Sequence, residues 1–335
     1  MALPTDDILP LPAISGLLDV FARTPLVAVG ELHGLQELAD FLVALLYHPR
    51  FSETVDAIVV EFGNSRYQAL MDRFINGEPV ANHELRPIWR DTFSWGTADA
   101  PIYEQFFRTV RAINRTLSPD RHLSVLLGDP PINWSQVHDW QDIHPFIERD
   151  RHFATVVEQN ILAQGRRGLL IAGAWHTIRL PTSPVTPTSQ QHRHNIIGYL
   201  EASHPGSTYS IVPHVGFGRR NSELEPRLAT WPIPALSAVH NTWLGELSID
   251  LLFAADQAAT DMHSPTRHTL KEVADGYLYL GPRDTLTRSR PNPAIYRGDT
   301  AYLAELERRR ELFYASHTLE ELWVEEDPRY RRPNQ

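Results

Sequence analysis

Short apolar runs recur along the chain and are its clearest pattern. The runs are continuous rather than alternating, which is typical of strands that are buried on both faces of a sheet. They predict six buried strands, at residues 26–29, 56–61, 123–129, 168–173, 209–214 and 276–281.

Apolar residues at helical spacing fill several of the stretches between these runs. They predict helices at residues 35–46 and 153–162, two more at 65–74 and 101–117, and a last one at 300–314. Strands that alternate with helices favour a sheet covered by helices on both faces. We therefore expect an α/β fold with three α/β/α layers and a mostly parallel central sheet.

No linker divides the chain, so we expect a single domain over residues 1–335. Residues of about 64–120 are expected to form a helical insertion over one edge of the sheet, and those of about 282–335 a C-terminal helical extension. The Pro/Ser/Thr-rich stretch 180–195 predicts an irregular loop after the fourth strand, which could serve as a lid or be an ordinary surface loop.

Composition and charge narrow the range of partners. The chain has 41 acidic and 31 basic residues, a net charge of −10, and no cysteine. A chain without a basic block is unsuited to nucleic acid or to an anionic membrane, so neither is expected as a partner. The acidic N-terminus lacks the basic region of a signal peptide, which favours a cytoplasmic location. Without cysteine, any chemistry must come from His, Asp, Glu, Ser or Tyr.

Polar residues stand at the ends of the predicted strands. Gly30 and His33 follow the first run, and Gly173 and His176 repeat this G-x-x-H pattern after the fourth. Each glycine is expected to let the chain turn sharply off its strand. Glu61 and Asp129 end the second and third runs, and Glu31 stands beside His33 in the predicted turn. The carboxyl ends of parallel strands meet at one edge, so we expect a shared cleft there.

Two histidines and one or two carboxylates in a cleft allow two kinds of chemistry. They can ligate a divalent metal, or they can act as general acid and base without one. The residues leave both possibilities open. Ser65 and Ser94 lack the context of a nucleophile elbow, so a serine hydrolase is not expected.

An ordered set of motifs resembles a known superfamily. GELHGLQE, VVEFG, LSVLLGDPP, ERDRHFATVVEQNI and IAGAWHTIRL follow one another as in the superfamily that joins erythromycin esterases, the haem-uptake ChaN proteins and the Tiki/TraB metalloproteases. The likeness covers about residues 26–281. The first motif is spaced G-E-L-H, closer to ChaN than to the G-E-x-x-H of erythromycin esterases, and Ala174–Trp175 departs from the esterase pattern before the second histidine. These departures weigh against macrolide specificity rather than against the shared site.

The resemblance implies which positions act. Matched motif by motif, the catalytic candidates are Glu31, His33, Glu61, Arg149 and His176. Asp129, Asp150 and Trp175 are candidates for substrate binding. If a divalent metal (Mn, Co or Zn) is bound, His33, His176 and Glu61 are its expected ligands.

Three functions follow from the resemblance. The first is a hydrolase that acts on an ester or amide bond of a small molecule or peptide, with His33 or Glu31 activating water. The second is a haem-binding or iron-binding protein of the ChaN kind. The third is a natural-product tailoring enzyme that uses the same acid–base site. The oligomeric state stays open.

Overall fold

The computed structural model describes residues 9–94, 96–179, 194–215, 224–249, 268–291 and 298–313. All six predicted strands are present in it, with two more. The strands are β1 (Leu11–Pro12), β2 (Leu26–Glu31), β3 (Ala57–Asn64), β4 (Ser124–Asp129), β5 (Gly168–Gly173), β6 (Thr208–Pro213), β7 (Ala235–Ala238) and β8 (Gly276–Tyr279).

Helices lie between most of the strands. They are α1 (Ala13–Val20), α2 (Gln36–Tyr47), α3 (Pro49–Thr54), α4 (Gln68–Ile75), α5 (Asn82–Leu85), α6 (Pro87–Arg90), α7 (Pro101–Asn114), α8 (Trp140–Ile143), α9 (Arg149–Asn160), α10 (Ala174–Thr177), α11 (Ile196–Ser203), α12 (Glu225–Leu228), α13 (Leu270–Val273) and α14 (Thr300–Phe313).

The strands form one mixed sheet in the order β1-β7-β8-β6-β2-β5-β3-β4. Among the described strands β7 is antiparallel to both of its neighbours, and the other pairings are parallel. The predicted α/β fold with a mostly parallel sheet is therefore confirmed. The strands β1 and β7 are additions that the apolar pattern did not predict.

The central strands bury both faces, and alternate residues serve different cores. Val27 and Val29 of β2 point into a cluster shared with α1, α2 and α7, whereas Ala28 points into a second cluster with α9 and α11. Helices thus cover both faces of the sheet and make the three predicted layers.

The boundary of the first strand differs from the one that the apolar pattern predicted. The first strand runs on to Glu31, so Gly30 and Glu31 belong to the strand and not to the turn that was predicted there. The stretch 180–195, predicted as a loop, lies outside the described residues except for its last two positions.

Among the described residues, no helix combines the length and the apolar character needed to cross a bilayer.

Candidate functional site

The strand order brings four polar strand ends into one row. In space the strands run β2-β5-β3-β4 and are parallel, so their carboxyl ends share an edge. Glu31 ends β2, His176 follows β5 within α10, and Asp129 ends β4. Glu61, predicted to end its strand, lies within β3, which runs on for three residues to Asn64. Such an edge is where open α/β sheets bind ligands.

Glu61 is the buried centre of the row. It is only 4% exposed, and both of its carboxylate oxygens accept hydrogen bonds. Oε1 accepts from Nη2 of Arg149 at 2.6 Å, and Oε2 accepts from the backbone N–H of Gly173 at 2.5 Å. Burial alone would raise the pKa of this carboxyl, but Arg149 and the two nearby histidines outweigh it and hold the pKa well below its usual range. Glu61 is therefore a fixed negative charge.

Arg149, the first residue of α9, joins the carboxylates to the segment between α6 and α7. Its Nη2 also lies 3.0 Å from Oδ1 of Asp129, and its Nη1 donates to the hydroxyl of Ser94 at 2.9 Å. Asp129 has no exposed surface, and its Oδ2 accepts from the backbone N–H of Phe93 at 2.5 Å. Burial raises the pKa of Asp129 to about 7, although Arg149 opposes this shift.

His176 pairs with Asp150, the residue that follows Arg149 in α9. Its Nδ1 lies 2.6 Å from Oδ1 of Asp150, and its Nε2 lies 3.9 Å from Oε1 of Glu61. Burial lowers the pKa of the imidazole, but the two carboxylates more than compensate and raise the pKa above its ordinary value. The ring keeps 27% of its side-chain surface exposed.

His33 is the second imidazole at this edge. Its Nδ1 lies 3.6 Å from Oε2 of Glu31, and 35% of its side-chain surface is exposed. Burial works against the charged ring, yet Glu61 and then Glu31 raise the pKa of His33 to about 9. At neutral pH the ring is therefore a cation.

Gly173 lets the two rings share one space. A Cβ placed on it would lie 3.4 Å from a carbon of each ring, Cε1 of His33 and Cδ2 of His176, and 3.2 Å from Oε2 of Glu61. The chain passes directly from β5 into α10 at Gly173, as the predicted turn requires, but its φ of −47° is open to any residue, so the backbone conformation does not require a glycine here. Its missing side chain instead makes room. The left-handed backbone near His33 belongs to Gly34, with a φ of +82°.

Tyr103 of α7 was missed by the sequence reasoning, although it holds Glu31 in place. Its hydroxyl donates to Oε1 of Glu31 at 2.5 Å and accepts from the backbone N–H of Gly34 at 3.1 Å. Burial and the charge of Glu31 raise the pKa of Tyr103 well above its usual range, so the hydroxyl stays a donor. Tyr103, Ser94 and Phe93 all come from the helical stretch between β3 and β4, where helical spacing marks core packing and gives no signal of contact with strand ends.

The remaining candidates lie around this centre at different depths. Trp175 precedes His176 in α10 and is 37% exposed, at the surface of the edge. Asp150 keeps 19% of its side chain exposed, whereas Asp129 is wholly covered. The structure thus brings all eight candidate positions to one edge of the sheet, with Trp175 outermost.

The candidate metal ligands do not fit a divalent ion. Both oxygens of Glu61 are already taken by N–H donors, and the cationic Arg149 lies against it. Nδ1 of His176 is turned to Asp150. Across the described ranges, no group of three or more His, Asp or Glu side chains is arranged to hold a metal ion.

Comparison with known proteins identifies the fold. No protein-family model and no curated protein sequence matches the chain. Among solved structures, a protein of Bacillus cereus is 10% identical with a TM-score of 0.53, over 84% of this chain and 96% of that one. A variant of the erythromycin esterase EreC in its open conformation is 10% identical with a TM-score of 0.50, over 81% and 94%. ChaN of Campylobacter jejuni, with haem bound cofacially, is 11% identical with a TM-score of 0.37, over 62% and 87%.

The similarities to the Bacillus cereus protein and to EreC show the fold alone. The TM-score of 0.37 with ChaN is too low to support the assignment of the fold. The chain thus has the fold of the erythromycin esterase structure, in agreement with the superfamily resemblance that its motifs indicated.

Replacing Tyr103 by Phe should destabilise the protein. The change leaves a buried carboxylate oxygen and a backbone N–H without their shared partner, which typically costs about 1–3 kcal/mol of unfolding free energy. Denaturant titration of Tyr103→Phe measures this loss. Tyr47→Phe is the matched control, since Tyr47 is 59% exposed and should change the unfolding free energy by less than about 0.5 kcal/mol. If the two variants have equal unfolding free energies, the hydroxyl of Tyr103 does not stabilise the site.

Proposed function

We propose that the chain is a hydrolase that cleaves an ester or amide bond of a small molecule or peptide, with His176 and His33 as its acid–base pair. One observation carries the proposal. Two partly exposed imidazoles with raised pKa values face the same space beside Gly173, over the buried carboxylate of Glu61. Perturbed titratable groups that converge on an open edge are typical of catalytic sites.

His176 is the proposed general base. The carboxylate of Asp150 at its Nδ1 favours the tautomer in which Nδ1 carries the proton and Nε2 is free to accept one. Nε2 is also the nitrogen turned toward the shared space, where it lies 3.9 Å from Glu61. A water molecule there would give its proton to Nε2 as its oxygen attacks the carbonyl carbon.

His33 is the proposed general acid. A ring with a pKa of about 9 is protonated at neutral pH, so it can stabilise the oxyanion and then donate a proton to the leaving oxygen or nitrogen. Its Nδ1 faces Glu31, which leaves Nε2 for the substrate. This assignment differs from the sequence-based prediction that His33 or Glu31 activates water, which stays a prediction.

Glu61 and Arg149 hold the two rings in position. The negative charge of Glu61 helps to raise both imidazole pKa values, beside Asp150 at His176 and Glu31 at His33. Arg149 fixes Glu61 and is itself held by Asp129, so we assign Asp129 to this support rather than to substrate contact. Trp175, at the surface beside His176, is the proposed apolar contact for substrate.

The fold is shared with an erythromycin esterase variant, which agrees with hydrolysis, and also with a succinoglycan biosynthesis protein, so the preference for hydrolysis rests on the paired imidazoles. Haem binding and natural-product tailoring stay predictions, as do the cytoplasmic location and the small-molecule or peptide substrate. Activity is best sought on a panel of simple esters and amides, beginning with 4-nitrophenyl acetate.

Alanine at either histidine should abolish most of the turnover. His33→Ala and His176→Ala should each lower kcat on the best substrate of the panel by about a hundredfold or more, since positioned proton transfer contributes that much. The double variant should be little slower than either single one, because groups that act together are not additive. His138→Ala, at an exposed histidine outside the site, is the matched control and should keep its activity. Variants that lose stability but keep specific activity would contradict the proposal.

The pH profile should test which ring is the base and which the acid. The value of kcat/KM should rise with pH until His176 is neutral, above its ordinary 6.5, and fall above about 9 as His33 loses its proton. Asp150→Asn removes one of the two charges that raise the pKa of His176, together with the acceptor that keeps the proton on Nδ1, so kcat should fall and the rising limb of the remaining activity should move to lower pH. Glu148→Gln, at the neighbouring exposed carboxylate, should leave the profile unchanged. A rate that keeps increasing above pH 9 would overturn the role of His33.

A further inference from the structure

The C-terminal helix α14 is packed onto the rest of the chain through an arginine. Arg309 is only 2% exposed and continues the buried face of the helix that Tyr302 and Leu306 begin. Arginine is almost never buried to this extent unless its charge and its donors are paired. The partners of Arg309 therefore show what this end of the chain is attached to.

The guanidinium of Arg309 is bonded to the end of α6 and to the residue that follows it. Its Nη1 donates to the backbone oxygen of Arg90 at 2.8 Å, and its Nη2 donates to Oδ1 of Asp91 at 2.7 Å. Its Nε donates to Glu305 of the same helix at 2.7 Å, and its Cζ lies 4.5 Å from the ring centroid of Trp134. All three nitrogens of the guanidinium thus have an acceptor, and two of them fix residues 90 and 91.

Asp91 is held from the opposite side by the end of β3. Its backbone oxygen accepts from Nδ2 of Asn64 at 2.6 Å, and its Oδ2 accepts from the hydroxyl of Tyr67 at 2.6 Å. Asn64 has no exposed surface and is the last residue of β3, three residues after Glu61. Asp91 is therefore fixed between β3 and α14.

The residues that follow Asp91 are those that contact the buried ion pairs of the candidate site. The backbone N–H of Phe93 donates to Asp129, and the hydroxyl of Ser94 accepts from Arg149. Both lie within three residues of Asp91, and each residue of the connecting backbone has only two soft dihedral angles. A displacement of Asp91 is therefore passed on to these two contacts.

We propose that Arg309 is a positioning residue for the candidate site. From α14 it fixes residues 90 and 91, and through them it keeps the segment 90–94 against Arg149, which in turn stays on Glu61. The effect of Arg309 on catalysis rests on the proposed hydrolase. Its effect on Arg149 requires no turnover and can be measured in the absence of any substrate.

Solvent exchange of the guanidinium protons of Arg149, followed by NMR on the full-length protein, tests the proposal. Arg309→Met keeps an unbranched apolar side chain but removes every N–H donor. It should speed the exchange by about tenfold or more, the factor expected when a hydrogen bond to a charged group is lost. The signals of Arg149 are identified by their absence from Arg149→Lys. Unchanged exchange in Arg309→Met would overturn the proposal.

Arg308→Met is the matched control. Arg308 is the neighbour of Arg309 in α14 and also donates to two backbone oxygens, but these belong to Trp134 and Val137 of another segment. The control should lower the unfolding free energy and change the exchange of the Arg149 protons by less than about twofold. Equal acceleration in both variants would show that Arg309 only holds α14 in place, and would refute the positioning role.

A milder variant covers the case in which Arg309→Met does not fold. Asp91→Asn keeps the shape of the side chain and removes the charge that Arg309 contacts, so it should also speed exchange of the Arg149 protons, by about threefold or more. Exchange as slow as in the unchanged protein would contradict the proposal.

Activity separates the positioning role from the hydrolase. On the best substrate of the panel, Arg309→Met should lower kcat by about tenfold and leave KM within about twofold, because Arg309 acts on the support of the rings and not on substrate. A change confined to KM would contradict the positioning role. If the unchanged protein cleaves no ester or amide, the hydrolase fails, and the exchange of the Arg149 protons still decides the role of Arg309.

Discussion

The buried ion pair between Glu61 and Arg149 is the interaction on which the site depends. A buried charge is tolerated only when it is paired and its remaining lone pairs are satisfied, and Glu61 meets both conditions through Arg149 and the N–H of Gly173. With its oxygens fixed, this carboxylate is a permanent negative charge beneath two imidazoles. It contributes to the raised pKa of both rings, together with Asp150 at His176 and Glu31 at His33.

The strand order of the sheet brings residues that are far apart in the sequence into one site. The chain visits β2, β3, β4 and β5 in that order, but the sheet places β5 between β2 and β3. Because β5 lies between β2 and β3, Gly173 contacts Glu61, and the rings of His33 and His176 both lie next to Gly173. The segment between β3 and β4 then stabilises the arrangement from outside, through Ser94 in the turn before α7, which contacts Arg149, and Tyr103 of α7, which contacts Glu31.

The six buried strands could be predicted from short runs of consecutive apolar residues, which fit a strand covered on both faces. Such runs also lack the one-sided apolar pattern of a surface helix. The strands β1 and β7 were missed, since they are short and lie beyond the parallel part of the sheet, where fewer apolar residues are needed. The meeting of His33, Glu61, Asp129 and His176 followed from strand ends sharing an edge. The contacts of Tyr103 and Ser94 could not be predicted, because helical periodicity shows which face of a helix is buried and not which strand end it meets.

The titration of the two imidazoles tests the central role of Glu61 most directly. Ring-proton resonances of His33 and His176, followed by NMR from pH 5 to 10 in the unchanged protein and in Glu61→Gln, report both pKa values, with the exposed His138 as an internal control. We expect both rings to titrate above 6.5, His33 near 9, and both pKa values to fall when the charge of Glu61 is removed. Rings that titrate near 6.5 in both proteins would contradict the claim that one buried carboxylate organises the site.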